Sequence, residues 1–551
     1  MIRKSVKIVL CTIAVIVIIP VLIMFWLYIS ADMGEPKIVI DPSRYVTVRH
    51  ADTLKCEDSY LRHDSCGLWE MYITGSGQER GAKQGALTQD LMQYQEDVFV
   101  GQIRAIIPSD SYLSFLRDFI IIFNRNLGKH IPLEYRDEIA AMSQFCTHEY
   151  DAIGTPYQRQ LNYHAAHDIG HTMQQYMLVG CSSFGVWGDR SETGSLLLGR
   201  NFDFYVGDDF AKNKLVTFAV PDSGYRYASV GWAGMIGVLS GMNERGITVT
   251  INAAKGAIPT SASTPISILT REILQYASTI DEAYRIAHAH KTFVSESILI
   301  GSAKENRAAI IEKTPESTAV YVPSAEQVVC TNHFQSKEFA QDQYNVENIE
   351  NSDSKYRYDR LSELLKGYSR LGYSDAVDVL RNRLGLNNED IGIGNEMTLN
   401  QSIAHHSVVF MPAEGLMWVS TSPWQSGRFV CYDLKGFFEG KSLPRQSETF
   451  SVEPDSVFLN RDYQRLLKYR SGIKTIQKAI KEGTVLQEKY LDDFESVNPK
   501  HYYTYRILGD YYSNSGNKKT AMEMYKKSLR CSIPYKSSRE DIMKLAGDYE
   551  K

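Results

Sequence analysis

The sequence predicts an α+β protein, on three observations. Short β-rich segments, punctuated by turn signals, crowd into residues 181–445. Helical patterns come in blocks before, inside and after that stretch instead of alternating with single strands, as layered sheet-and-helix folds require. Residues 1–30 stand apart as a basic start followed by an uncharged apolar run.

Taken in chain order, the first element is that run. Residues 1–7 include Arg3, Lys4 and Lys7, and residues 8–29 carry no charge. Roughly 20 apolar residues cross a hydrocarbon core about 30 Å thick as a helix. Membrane helices tolerate Pro20 better than soluble ones. Basic residues before the run, with Asp32 and Glu35 after it, set an N-in orientation. The expectation is a single-pass signal anchor (1–30) with the rest of the chain extracytoplasmic. A cleaved signal peptide is the competing reading, for which Ser30-Ala31 is a weak site.

Residues 31–180 read as a helix-rich segment, with a strand-like stretch at 67–73 and helices beginning near 79, 113 and 134. Residues 181–445 hold predicted strands at 196–204, 215–220, 227–239, 246–252, 297–301, 308–313, 318–322, 328–334, 407–412, 416–420 and 428–434. Helices are expected at 265–290, 356–365 and 374–384, and a polar loop at 335–355. Residues 446–551 read as helical. Within them Tyr505, Leu508-Gly509, Tyr512, Ala521, Tyr525 and Pro534 follow the spacing of a tetratricopeptide-like repeat. One such repeat cannot bury its own face and must pack on a neighbour, here either the main domain or a protein partner.

A net charge of −5, with no basic run after the first residues, excludes a nucleic-acid-binding role. The eight cysteines show no CxxC or Cys/His spacing for zinc. Cys56 and Cys66 can pair in an oxidising compartment or stand as free thiols. His164, His167 and His171 share a helical face, but no carboxylate completes a ligand pattern, so no metal or cofactor is assigned. Adjacent residues before a strand point to opposite faces, so His405 and His406 are not read as a joint site.

The residues that can carry chemistry begin at Gly180-Cys181. A thiol directly after a glycine, at the start of a strand-like run, suits a cysteine that becomes a chain terminus by self-cleavage and uses its own amine as base. Arg200 can lower the thiol pKa, and Asp203 can hold a protonated amine. On a strict strand these two lie on opposite faces, so a twist or bulge after Gly199 is needed to bring both to the cysteine. Asn252 and Asn332 end strands and can donate to an oxyanion. Arg357 completes the charge set.

These residues, with Gly241-Met242-Asn243-Glu244-x-Gly246 and Thr331-Asn332-His333, resemble the N-terminal-nucleophile hydrolases. The nearest branch is the acyl-coenzyme A:6-aminopenicillanic acid acyltransferase group, and choloylglycine hydrolases and acid ceramidase are more distant. The resemblance covers roughly residues 65–435. It implies a four-layer αββα sandwich over 181–445, with autocleavage at Gly180-Cys181 leaving 31–180 bound as a second chain. It also implies acyl transfer from an amide through a Cys181 thioester. In that scheme Asp203 orients the amine, Asn252 and Asn332 form the oxyanion hole, and Arg200 and Arg357 set the local field. A wide hairpin over 189–195 departs from the bile-salt hydrolases. The substrate is then a small acyl-amide, with residues 230–239 and 255–264 as candidate pocket walls. The alternative is an inactive membrane-anchored scaffold that works through the C-terminal repeat.

Overall fold

The computed structural model describes residues 19–107, 109–172, 178–257, 259 and 261–547. Two sheets stack face to face. The 11-stranded sheet runs β1-β2-β3-β4-β7-β8-β9-β10-β11-β12-β13. It is built from β1 Val48–His50, β2 Thr53–Cys56, β3 Ser59–His63, β4 Trp69–Gly75, β7 Leu215–Pro221, β8 Tyr227–Gly231, β9 Ser240–Asn243, β10 Ile247–Ala254, β11 Ser295–Ser302, β12 Arg307–Lys313 and β13 Thr318–Tyr321. The 7-stranded sheet runs β14-β5-β6-β15-β16-β17-β18. Its strands are β5 Leu178–Val186, β6 Leu197–Tyr205, β14 Gln327–Cys330, β15 His406–Met411, β16 Leu416–Ser420, β17 Phe429–Asp433 and β18 Arg445–Val452.

Strand alternation decides what each sheet buries. Leu198, Val408 and Phe410 turn inward and meet Val216, Phe218 and Ile310 of the larger sheet. Their neighbours Leu197, Val409 and Met411 turn outward onto the helices Ser354–Lys366 and Tyr373–Leu380, packing on Leu361, Leu365 and Val377. The other outer surface is covered by the helices Ile266–Tyr276 and Ile280–Ala289, through Leu269, Ile273, Leu274 and Ala283. The layers are therefore helix, sheet, sheet, helix.

Several elements differ from the sequence expectation. The helix predicted over 265–290 is two helices, because Thr279 accepts from Glu282 N and caps a new one. The polar loop at 335–355 contains the helix Gln343–Asn351. Asp342 caps it, and it buries little besides Asn345, so it lacks an apolar signature. Residues upstream of Cys181 supply β1–β4 of the larger sheet, and β4 pairs in parallel with β7. In the other direction, β18 carries the smaller sheet past residue 445. Cys56 and Cys66 are both free thiols.

Of the expected anchor, residues 19–29 form the helix Ile19–Ile29, with Val21, Leu22, Phe25 and Trp26 exposed. Residues 8–18 lie outside the described residues. Among the described residues, no helix is long and apolar enough to cross a membrane.

The C-terminal region is helical from Tyr463. Tyr502–Asn514 and Lys518–Leu529 form a hairpin, in which a Cβ on Gly509 would meet the Tyr525 ring at 2.5 Å. This region docks on residues 391–402. Asn498 Nδ2 donates to Ile393 O (3.0 Å), and Arg470 Nη2 donates to Ser402 O (2.6 Å).

The upstream segment is bound to the core by buried charge. Glu138 accepts from Arg80 (2.7 Å) on the helix Gly77–Ile106 and from Arg271 (3.4 Å) on Ile266–Tyr276. Close helix contact at Gly81 makes this possible, since a Cβ there would sit 2.1 Å from Glu138 O. The variant Gly81→Ala is expected to destabilise the chain by about 2 kcal/mol or more, read as a lower denaturation midpoint.

Candidate active site

Cys181 lies in β5, which pairs with β6 without a register shift. Gly180 stands opposite Asp203, Cys181 opposite Phe202 and Ser183 opposite Arg200. No bulge follows Gly199, one of the two ways the sequence left for bringing both side chains to the cysteine, and alternation holds. Cys181, Arg200 and Phe202 face the space between the sheets. Ser182 and Asp203 face the helix layer.

On the inter-sheet side the thiol is fully buried. Arg200 Nη2 approaches Cys181 Sγ at 3.6 Å and also donates to Ile251 O. Arg200 Nη1 donates to Leu239 O (3.1 Å) and to Ser240 Oγ. Its guanidinium lies over the Phe202 ring, 4.4 Å from the centroid. Burial pushes the Cys181 thiol up, and the nearby Arg200 charge offsets this only in part. In the uncut chain the thiol is therefore the protonated form.

The helix side is organised by Arg357, buried on the helix Ser354–Lys366. Its Nη1 donates to Cys181 O (2.6 Å) and Ser182 Oγ (3.1 Å), and its Nη2 donates to Asn332 Oδ1 (2.6 Å). Asp353 balances the charge through Nε at 3.0 Å. Asn332 Oδ1 also accepts from Cys181 N (3.0 Å). Asn332 is itself fixed, donating from Nδ2 to Ala253 O (2.8 Å) and from its backbone N to Ser354 Oγ (2.8 Å). Asn252, inside β10 rather than at a strand end, accepts from Ser183 Oγ (2.8 Å) and donates to Cys330 O (3.1 Å). A side-chain amide has two N–H groups, and each of these asparagines has committed one of them to a carbonyl.

Asp203 is the exception to this satisfaction. It is fully buried, and neither carboxylate oxygen has a hydrogen-bond partner among the described residues. Burial raises its pKa from the ordinary 3.8 to about 7, against the pull of Arg357 and Arg200. The cross-strand partner of Asp203 is Gly180, so its carboxyl stands on the side of the Gly180–Cys181 bond away from the thiol.

The structure thus brings Gly180, Cys181, Arg200, Asp203, Asn252, Asn332 and Arg357 into one locus with two faces. Sequence reasoning missed Asp353, whose i, i+4 spacing to Arg357 is a readable signal. It also missed Gln401, whose Nε2 would lie 3.1 Å from a Cβ on Gly180. No local pattern marks Gln401. His405 and His406 do meet, contrary to the sequence reading: their Nδ1 atoms are 3.0 Å apart. His405 precedes β15 and so escapes the strand's alternation.

His164 bonds Gln160 O through Nδ1 (2.7 Å) and accepts from Ile236 N at Nε2 (2.9 Å). The side chains of His167 and His171 lie outside the described residues. Among the described residues no cluster can hold a metal. Trp232, Ala233, Gly234 and Met235 line a cavity of about 40 Å³ with Phe204, Phe210 and upstream residues such as Phe99 and Tyr163. Residues 255–257, 259 and 261–264 do not line it.

Most of these site residues fall inside a known sequence family. The sequence model of the family described as acyl-coenzyme A:6-aminopenicillanic acid acyl-transferase matches residues 190–420, less than half of the chain. The match takes in Arg200, Asp203, Asn252, Asn332 and Arg357 and begins after Cys181. The chain is thereby similar to a family of N-terminal-nucleophile amide hydrolases and acyltransferases.

Among curated proteins, an uncharacterized protein of Archaeoglobus fulgidus is 25% identical over 341 residues, covering 56% of this chain and 56% of that protein. The proteins dcd1B and dcd1A of Dictyostelium discoideum are 22% and 23% identical, covering 47% and 67% of this chain and 53% and 85% of theirs. The chain thus spans little more than half the length of the first two.

Among solved structures, the Caenorhabditis elegans ortholog of N-acylethanolamine-hydrolyzing acid amidase is 19% identical. It covers 42% of this chain and 93% of its own, with a TM-score of 0.31. A mutant conjugated bile acid hydrolase of Clostridium perfringens is 12% identical and covers 49% and 96%, with a TM-score of 0.34. Superpositions this loose add nothing to the architecture, which stands on the strand order.

The Asp203 environment gives a pH signature. In a Cys181→Ala chain the raised carboxyl adds stability that is complete below about pH 4 and is lost as pH rises through about 7. Adding Asp203→Asn to that chain is expected to flatten this dependence by a few kcal/mol, since a tenfold change in proton affinity is worth about 1.4 kcal/mol. Thermal melts across that range read the effect.

Proposed function

We propose that this chain is a self-processing cysteine amide hydrolase or acyltransferase, anchored through residues 8–29 with its catalytic part extracytoplasmic. The observation that carries the reading is the buried Asp203 carboxyl opposite Gly180, without a hydrogen-bond partner among the described residues. Cutting Gly180–Cys181 creates an amine beside it, so that an ammonium–carboxylate pair can replace a lone carboxyl.

In the processing step Cys181 Sγ attacks the Gly180 carbonyl carbon. The C–S bond forms, the C–N bond breaks, and the thiol proton passes to the departing Cys181 nitrogen. Water then hydrolyses the thioester, giving a Gly180 carboxylate and a free Cys181 thiol. In turnover the freed α-amine, once its ammonium has passed a proton to solvent, takes the thiol proton, and the thiolate attacks a substrate amide carbonyl. The remaining N–H groups of Asn252 and Asn332 receive the oxyanion. The amine product leaves with the proton, and water or an acceptor amine releases the acyl group from Cys181.

The acyl group is assigned to the aromatic cavity lined by Phe204, whose ring stacks at 5.6 Å on Phe202, the strand partner of Cys181. About 40 Å³ holds little more than a water molecule. The upstream residues Phe99 and Tyr163 must therefore shift for an acyl chain to enter. The Arg80–Glu138–Arg271 network keeps that upstream segment bound after the cut. Residues 505–534 serve as a docked hairpin in this reading, and as the partner-binding site in the scaffold alternative.

N-terminal sequencing of the mature material is expected to find a chain starting at Cys181. The variant Cys181→Ala is expected to remain one chain and to lose N-acyl amide turnover by about 10³-fold or more. Full turnover by an uncut Cys181→Ala protein would sink the reading.

A further inference from the structure

We propose that Ser240, His406 and His405 form a buried, neutral hydrogen-bond relay that positions Arg200 against the Cys181 thiol. The inference rests on the reading of Cys181 as the self-processing nucleophile, and it adds residues which that reading does not use.

The relay joins the two sheets. Ser240 opens β9 in the larger sheet and His406 opens β15 in the smaller one, and both are fully buried. Arg200 Nη1 donates to Ser240 Oγ, and Ser240 Oγ lies 2.8 Å from His406 Nε2. His406 Nδ1 lies 3.0 Å from His405 Nδ1.

A cation at one end fixes the first bond, and satisfying the hydroxyl hydrogen sets the direction of the others. Guanidinium groups only donate, so Ser240 Oγ accepts from Arg200 and gives its own hydrogen to His406 Nε2, its other hydrogen-bond neighbour. His406 Nε2 takes it and is therefore unprotonated. The His406 proton sits on Nδ1 and is given to His405 Nδ1. The His405 proton is left on Nε2, which has no partner among the described residues.

The chain works only while both rings are neutral, because a second proton on His405 would set two N–H donors face to face at the Nδ1 contact, and one on His406 would reverse its bond with Ser240. The surroundings enforce this. Burial holds His405 down to about 3 and His406 well below its ordinary value, and the Arg200 and Lys214 charges add to the effect. Phe202, Phe210 and Trp232 pack around the His405 ring. Lys214 Nζ donates to Ser420 O (3.1 Å) and Trp424 O (3.3 Å), and burial pushes its own pKa down to about 7.

A neutral relay orients Arg200 without supplying a counter-charge. The guanidinium charge stays available to the Cys181 sulfur, 3.6 Å away, when it gives up its proton. A carboxylate in the place of Ser240 would take that charge for itself. The three residues act through Arg200 and are positioning residues.

The test uses self-cleavage of the full-length chain, made by cell-free synthesis and followed on denaturing gels across about pH 5–9. In His406→Gln the side-chain oxygen can still accept from Ser240, whereas in His406→Leu the volume is filled and nothing accepts. Gln is expected to cleave within about threefold of the unaltered chain. Leu is expected to cleave at least about tenfold more slowly, with its rate–pH curve moved to the alkaline side.

Ser240→Ala removes the same link with a smaller change, and is expected to reproduce both the slowing and the alkaline shift. Thermal melts identify any variant that fails to fold. Equal rates and pH curves for Leu, Gln and the unaltered chain would overturn the relay, as would an unshifted Ser240→Ala. Equal slowing in Gln and Leu without a pH shift would reduce His406 to a packing role and likewise overturn it. An unaltered chain that stays uncut would overturn the reading of Cys181 itself, and the relay with it.

Discussion

Arg357 reaches from the helix layer into the smaller sheet and donates to Cys181 O, Ser182 Oγ and Asn332 Oδ1, while Asp353 neutralises it. A buried guanidinium is costly unless its donors and its charge are satisfied, and here both are met by groups that surround one peptide bond. Charge-assisted bonds of this kind are worth roughly 1.5–3 kcal/mol each and are short and directional. They fix the backbone of β5 at the one point where the chain carries its candidate nucleophile. Asn332, Ser182 and the β5–β6 pairing all hang on that placement.

The unbroken β5–β6 register then divides the labour between two faces. The thiol and Arg200 share the dry space between the sheets, where one positive charge is felt strongly because the dielectric is low. Asp203 sits on the helix face, with no hydrogen-bond partner among the described residues. An ionised carboxylate left this way is costly, and burial raises its pKa to about 7 against the pull of Arg357 and Arg200. The strand's alternation, rather than any single contact, puts the thiol and Arg200 on one face and Asp203 on the other.

The parts of the chain beyond 181–445 are woven into this arrangement. Upstream residues give β1–β4 to the larger sheet, line half of the aromatic cavity and carry Arg80 and Glu138 into a buried ion network with Arg271. C-terminal helices hold residues 391–402, where Tyr502 meets Glu396 (3.2 Å) and Gln401 lies against Gly180. The upstream segment is thus held to the core by strand pairing, buried charge and a shared cavity.

The sequence by itself determined the α+β class, most strand positions and which residues to seek together around Cys181. Those are local properties: period-two alternation, turn residues, and a thiol placed after a glycine. It misjudged the helix at 265–290 and the loop at 335–355, because a capping Thr279 and a polar helix leave no apolar signature. Only the tertiary structure decided which faces the site residues share. Whether Asp203 meets the thiol depends on a register with no bulge, and whether His405 meets His406 depends on where β15 begins. Those are outcomes of pairing between distant strands. The energy that sets them comes from burying both sheets at once, so no short window of sequence contains it.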